Sequence, residues 1–570
     1  MSKSLLRTAV PSSRPSRRGI LAALTAAALI GSLAACSPSP APTETNEEVA
    51  VVDGGEIVIG AEQEPDCTDW IATCGGSIWG SYIMQIPTMP GVFQTRLVDD
   101  EWQPVASDLV TGEPTTEVAA DGTQTITYEI NPDAVWSDGE PITSADFEYT
   151  ALQIRDGDDI FDKTGYDRIT AIDASDPKTV VVTLNSTYAG WRTLFSVYGV
   201  MPSHLLEGQD RAAIMAEGYD FSGGPWKIEK WTRGTSVTLV PNENYWGEKP
   251  HLDKVTFLFL PDTTAAFQAL KSGQVSALYP SPQLDALTQI EAGLPGIKSQ
   301  VDARSGNLEA IWLNNAAAPF DSVAVRQALA YSIDRDAIVK RLFGSLGIDE
   351  AQQSFNSPMV APFASDDFSQ YSLDLDKVDE LMEGDGWKKN GDGVWAKGGE
   401  TATFSIKTLA GNKRRDLTVQ VLQSQLADAG FEMTIDQVTP ADLFGTIAPE
   451  GDFQAGIWAL VDTFADPTLS ATFSSVNIPS EANGFSGINF YRTNIPGLDD
   501  LLSQVDNEID TDARIEVSHE ADALIAENVP SLPLDTVPNV LLWDEKIGGP
   551  LQINPMEGPF WNLAEWGLAG

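Results

Sequence analysis

Two hydrophobic rhythms alternate along this chain. Thr125-Ile126-Thr127-Tyr128-Glu129-Ile130 switches between polar and apolar at every step, the period of a strand with one face buried. Glu56-Ile57-Val58-Ile59 is a short β-branched run and predicts the first strand. Val323 to Leu342 and Leu417 to Ala429 space their apolar residues three and four apart, which predicts helices. Strands and helices intermix throughout, and no self-similar period of roughly 20 to 50 residues recurs. The pattern predicts an α/β protein rather than a repeat array or an all-β sandwich.

One stretch fits neither rhythm. Gly19 to Ala35 carries no charge, follows the basic residues Lys3, Arg7, Arg14, Arg17 and Arg18, and ends at Cys36. A basic head, an apolar middle and small residues at the exit predict an export signal. The apolar run is shorter than the ~20 residues of a spanning helix. Leu33-Ala34-Ala35-Cys36 resembles the lipobox of bacterial lipoproteins. That resemblance implies a signal peptide over 1–35, a lipid on Cys36 and a location on the outer face of the bacterial cytoplasmic membrane. Ser16-Arg17-Arg18-Gly19-Ile20-Leu21 resembles a twin-arginine export signal without its usual Phe and Lys, so general and twin-arginine export both stay open. Residues 36–53 are rich in Pro, Ser, Thr, Glu and Ala, lack aromatic residues and predict a flexible tether.

Charge narrows the functions. The chain of 570 residues carries a formal charge of −47, and five basic residues precede Cys36, so the remainder is more acidic still. A nucleic-acid binder needs a basic footprint, and this is its opposite. The remaining length is enough for two or three lobes. Cys67 and Cys74, the only cysteines beyond the signal, read as a small disulfide loop in an exported chain, with two free thiols as the alternative. No histidine lies near them in sequence, so no metal site is expected, and no cofactor motif is present.

Catalytic signatures are missing as well. There is no Gly-x-Ser-x-Gly elbow, no His-Glu-x-x-His, no phosphate loop and no Gly-x-Gly-x-x-Gly. His204, His251 and His519 are far apart, and His204 follows a turn, where a local hydrogen bond is the expected role. A carboxylate pair of the glycosidase type stays formally open, yet nothing singles one out. A non-enzyme is expected.

Longer motifs then appear in order. The first runs Val135-Trp136-Ser137-Asp138-Gly139-Glu140-Pro141-Ile142-Thr143-Ser144-Ala145-Asp146-Phe147, where Asp-Gly makes a turn and Thr143 or Ser144 can cap a helix. Gly223-Gly224-Pro225-Trp226-Lys227-Ile228 follows, then Val240-Pro241-Asn242-Glu243-Asn244-Tyr245-Trp246-Gly247. Trp312-Leu313-Asn314-Asn315, Pro319-Phe320-Asp321 and Val325-Arg326-Gln327-Ala328-Leu329-Ala330-Tyr331-Ser332-Ile333-Asp334-Arg335 complete the set, with Gly384-Asp385-Gly386-Trp387 and Gly391-Asp392-Gly393-Val394-Trp395 beyond. Together these resemble the extracellular solute-binding proteins of family 5, which serve ABC importers of peptides, nickel and related solutes.

The resemblance implies a two-lobed periplasmic-binding-protein-like fold with hinge closure. It implies a first lobe from 54–94, 222–308 and 530–570, an extra subdomain over 95–221, and a second lobe over 309–529. Asp138, Asp146, Arg326 and Asp334 are expected to hold turns and helices rather than touch ligand. In the family's peptide binders an acid in the second lobe, four residues before a proline, pairs with the peptide α-amino group. Here Thr463 occupies that position relative to Pro467, and Asp462 stands one residue away. An arginine that oligopeptide binders can carry just before this strand's tryptophan has no counterpart in Gln454-Ala455-Gly456-Ile457.

Asp462 is therefore the candidate anchor, with Trp458, Trp312 and Asn314 as further ligand candidates. The implied protein is a monomer that captures a small solute, most simply a peptide, and delivers it to ABC permease subunits. The alternatives are a receptor for an oligosaccharide, a metal chelate or an opine-like solute, or a secreted hydrolase.

Overall fold

A computed structural model describes residues 49–98, 101–462, 464 and 466–570. The signal 1–35, Cys36 and the tether up to residue 48 lie outside the described residues. Residues 49–53, which composition assigns to the tether, are partly ordered in a ladder. Val51 and Val52 pair antiparallel with Ala569 and Leu568, because three valines within four residues favour a strand over a linker.

A seven-stranded mixed sheet organises the first lobe. Its central strand Glu56–Ala61 runs parallel to Lys254–Phe259 and to Ala277–Leu278, and antiparallel strands extend both edges. Ile57 and Ile59 are buried, as the β-branched run predicts. The second lobe carries a five-stranded sheet in the order Glu432–Val438, Thr403–Leu409, Ala455–Val461, Asn307–Leu313, Ser531–Thr536. Ser531–Thr536, which the resemblance assigns to the first lobe, is thus an edge of the second sheet. The chain crosses between the sheets after Asp302 and again after Thr536.

A third, four-stranded antiparallel sheet forms the core of the extra subdomain. Its strand Gln124–Glu129 buries alternate residues, with Ile126 and Tyr128 fully inside. Helix Ser144–Asp156 packs beside this sheet and starts at Ser144, five residues after Gly139 of the Asp-Gly turn. The Thr143 amide donates to Asp146 Oδ2 at 2.8 Å, and Asp146 Oδ1 accepts from the Ser203 amide at 2.7 Å. The run Val323 to Leu342 forms two helices, Val323–Tyr331 and Arg335–Phe343, because Asp334 caps the second through the Ala337 amide at 2.9 Å. Arg326 donates to the carbonyls of Phe320, Asn528 and Val529. These motif residues hold the frame.

Cys67 and Cys74 are joined in a disulfide. Among the described residues, no helix is long and apolar enough to cross a membrane.

Candidate functional site

The two large sheets and the extra subdomain enclose a cavity of about 520 Å³. The first lobe contributes Glu62, one residue past its central strand, together with Trp79, Tyr82 and Tyr279. These rings contact one another edge-on, with centroids 6.0 Å apart for Trp79–Tyr279 and 6.2 Å for Tyr82–Tyr279. The crossing segments contribute Asn307 and Pro538. Asn307 Nδ2 reaches Asn539 Oδ1 at 3.3 Å and Asn539 Nδ2 donates to the Arg304 carbonyl at 3.0 Å, so the two crossings are tied together.

Trp458 and Asp462 sit on the second-lobe wall. Trp458 belongs to a stack in which Trp312 and Tyr491 lie 4.2 Å apart and Trp312 and Trp458 lie 6.0 Å apart. Gly456 makes room for this ring, since a Cβ there would stand 2.0 Å from the Trp458 side chain. Gly306 plays the same part at the crossing, where a Cβ would meet the Asp462 carbonyl at 2.8 Å. The first crossing therefore runs against the loop that carries Asp462, whose amide donates to Gly306 at 2.9 Å.

Charge sorts the acids of this region. Asp466, the acid of the Asp-Pro pair, accepts from Arg514 at 2.8 Å. Glu557 lines the cavity and pairs with Arg96 at 3.1 Å. Glu309, fully buried behind the wall, accepts from Arg414 at 2.7 Å and from Arg415 at 2.8 Å. Burial alone would raise the Glu309 carboxyl, but the two guanidiniums outweigh it and hold it well below the usual range. Its cross-strand neighbour Asp535 is also buried and is pushed up, first by burial and then by the charge of Glu309.

Asp462 is different. It is half-buried, and no arginine or lysine pairs with it among the described residues. Burial raises its carboxyl from 3.8 to about 6, and the Ser357 hydroxyl opposes this only in part. Glu62 is likewise raised, to about 7, by burial, with Arg415, the Ser281 amide and Arg414 pulling it down.

The structure thus brings two of the four predicted ligand residues to the cavity lining, Asp462 half-buried and Trp458 with only 1% of its surface exposed. Trp312 and Asn314 stand behind it. Trp312 is 0% exposed and donates through Nε1 to the Trp458 carbonyl at 2.8 Å, while Asn314 donates to the Gly451 and Phe453 carbonyls at 3.0 and 2.9 Å. The strand Asn307–Leu313, which holds Trp312 and ends just before Asn314, lies between two neighbours in its sheet, and the motif does not reveal which face is up. Sequence reasoning missed Glu62, Asp162, Tyr82, Tyr279 and the Arg414-Arg415 pair. Of these only the arginine doublet carried a signal, since it follows Asn412, which caps the helix Lys413–Ala429. The three histidines bind Asp138, Asp53 and the Pro362 carbonyl, and none lines the cavity.

Two mixed sheets joined by paired crossings, with an aromatic and carboxylate-bearing cavity between them, define a two-lobed solute-binding protein. Residues 97–478 match the family described as bacterial extracellular solute-binding proteins, family 5 Middle, and the chain belongs to that family. Protein XP55 of Streptomyces lividans is 25% identical over 488 residues, covering 84% of this chain and 82% of that protein. The oligopeptide-binding protein AppA of Bacillus subtilis is 29% identical over 279 residues, which span 47% of this chain and 50% of AppA. The structure of AppA, solved with a nonapeptide, superposes with a TM-score of 0.81 at 22% identity, covering 91% of this chain and all of that one. The periplasmic EDTA-binding protein EppA superposes with a TM-score of 0.77 at 24% identity, covering 93% and 100%. At these identities the two superpositions establish the shared fold.

Proposed function

We propose that this protein is a lipid-anchored receptor that captures a peptide or peptide-like solute bearing a free amino group and passes it, unchanged, to an ABC permease. One observation carries the reading. Asp462 stands in the wall of a cavity of about 520 Å³ with no cationic side chain among the described residues to neutralise it. A ligand ammonium would supply the missing charge, and the Trp79, Tyr82 and Tyr279 rings would pack against side chains without demanding a charge of them. The likeness to AppA, itself named an oligopeptide-binding protein, supports the same reading.

Closure would pivot on the two crossings, which are short and tied to each other through Asn307 and Asn539. Anchoring would rest on Cys36, where the apolar signal ends. Mass spectrometry of the solute that co-purifies with the protein tests the ligand class. Peptides with free amino termini are expected, and recovery of only sugars or metal chelates would retire the proposal. Fractionation of a Cys36→Ser variant tests the anchor. The variant should leave the membrane fraction for the medium, since an acyl chain contributes about 0.8 kcal/mol per buried methylene.

A further inference from the structure

Asp162 is a second acid in the cavity wall, contributed by the extra subdomain. One of its oxygens, Oδ1, accepts from the Thr164 amide at 2.9 Å and the Thr164 hydroxyl at 2.7 Å. Among the described residues no cation pairs with it. Adjacent Lys163 is turned away, its ammonium bound to the Gly157 carbonyl. Arg168, on the same segment, is committed to Asp506 at 3.5 Å, to Asn507 and to the Thr187 carbonyl. Asp167, on the same segment, adds a charge of the same sign.

Its surroundings are rich in acceptors and aromatic surface. Tyr166, Tyr188 and Tyr198 line the same part of the cavity, and the charge of Asp162 bears on all three hydroxyls. Tyr166 Oη accepts from the Phe195 amide at 2.7 Å, and Tyr188 Oη meets Thr193 Oγ1 at 3.3 Å, so both phenols are held in place. The other charged groups that line the cavity are accounted for. Asp466 and Glu557 have their own arginines, Arg414 and Arg415 have Glu309, and Glu62 faces those two arginines. Among the described residues that line the cavity, two acids remain without a cation, Asp462 on the second lobe and Asp162 on the extra subdomain.

We propose that Asp162, with Tyr198 beside it, forms a subsite for a cationic side chain, so that the captured solute is a basic peptide carrying a lysine or arginine in addition to its amino terminus. The inference rests on the reading of Asp462 as the amino-group anchor. An ammonium or guanidinium brings several donors and no acceptor, which suits a carboxylate oxygen with phenolic oxygens beside it. The Tyr198 ring adds the attraction of its face for a cation, whereas the Tyr188 face is already occupied by the Arg168 guanidinium, 5.1 Å from its centroid. A norleucine side chain fills similar space and offers neither interaction.

Alanine pentapeptides with a single lysine, moved through each position, and the matching norleucine series form the probe. Each is titrated calorimetrically into the native protein, Asp162→Asn and Asp162→Glu. At one position the native protein should prefer lysine by about tenfold or more, the range expected for a hydrogen bond to a charged group. Asp162→Asn, which keeps the acceptor for Thr164, should remove the preference and leave norleucine peptides unaffected, and Asp162→Glu should restore part of it. Unchanged melting temperatures of the free variants exclude a folding defect. A lysine preference at no position, or one that survives in Asp162→Asn, overturns the subsite. N-acetylation that costs nothing while the lysine preference stands overturns Asp462 as the anchor and leaves the subsite in place. Failure of every pentapeptide to bind at millimolar concentration overturns both.

Discussion

Glu309 and Asp462 are acids of the same lobe, set on neighbouring strands or just beyond them, and their environments are opposite. Glu309 is fully buried, with two arginines from one helix holding its proton off. Asp462 is half-buried beside the cavity with no such partner, and burial lets it keep a proton up to about pH 6. A buried charge that the protein neutralises internally belongs to the architecture. One at a cavity wall without an internal partner, as Asp462 is among the described residues, is the candidate to meet a ligand's charge.

The largest effect should come from the neutralised acid. Glu309→Gln leaves Arg414 and Arg415 buried without their counter-ion, and losing one partner of a buried pair costs about 3–5 kcal/mol. Urea unfolding should show that loss. A change below about 1 kcal/mol would mean that the arginines find other partners and that the contrast with Asp462 is weaker than drawn.

Asp462→Asn should do the reverse. Unfolding stability should hold or rise, because a poorly solvated charge is gone, while affinity for a peptide with a free amino terminus falls about ten- to a hundredfold. N-acetylating the peptide should cost as much in the native protein and little more in the variant, since both changes delete the same pair. Equal affinities for native and substituted protein would remove Asp462 from the site.

Acidity provides the finest probe. The Asp462 value in the fold lies above its unfolded value, so the free protein gains stability from keeping the proton and loses it as pH rises between about 4 and 6. A bound ammonium favours the ionised acid instead. Binding should therefore release a proton below pH 6, and affinity should fall about tenfold between pH 7 and pH 5. In Asp462→Asn that slope should vanish. Glu309 runs the other way: its value is depressed, so its contribution stands above the unfolded value of about 4.3 and is lost toward stronger acid.

Local features of this fold were legible in the chain. The alternation at Thr125 to Glu129 became a strand, Thr143 and Asp146 became the start of a helix, and the close cysteine pair became a disulfide. Asp462 was found because it precedes an Asp-Pro pair in a recognisable segment. The cluster around Glu309 was not legible, because Arg414 lies 105 residues away and only a strand-and-helix crossing unites them. Asp162 and Glu62 escaped for the same reason. Their burial is made by lobes that the local sequence does not describe. Trp312 and Asn314 were expected at the ligand because their motif stands out, but prominence in a motif does not distinguish a wall from what lies behind it.

The ladder of Val51 and Val52 with Leu568 and Ala569 fixes a frame of reference for motion. The incoming chain and the outgoing one are stitched side by side to the first lobe, whereas the second sheet is drawn entirely from residues between the two crossings. If the lobes close as proposed, the first lobe would be the mount and the second the moving jaw. Opening and shutting, on that reading, would show as displacement of the second lobe relative to the Val51–Val52 ladder. A fluorophore pair with one member near Val51 and the other on the exposed side of the helix Lys413–Ala429 would read that stroke directly.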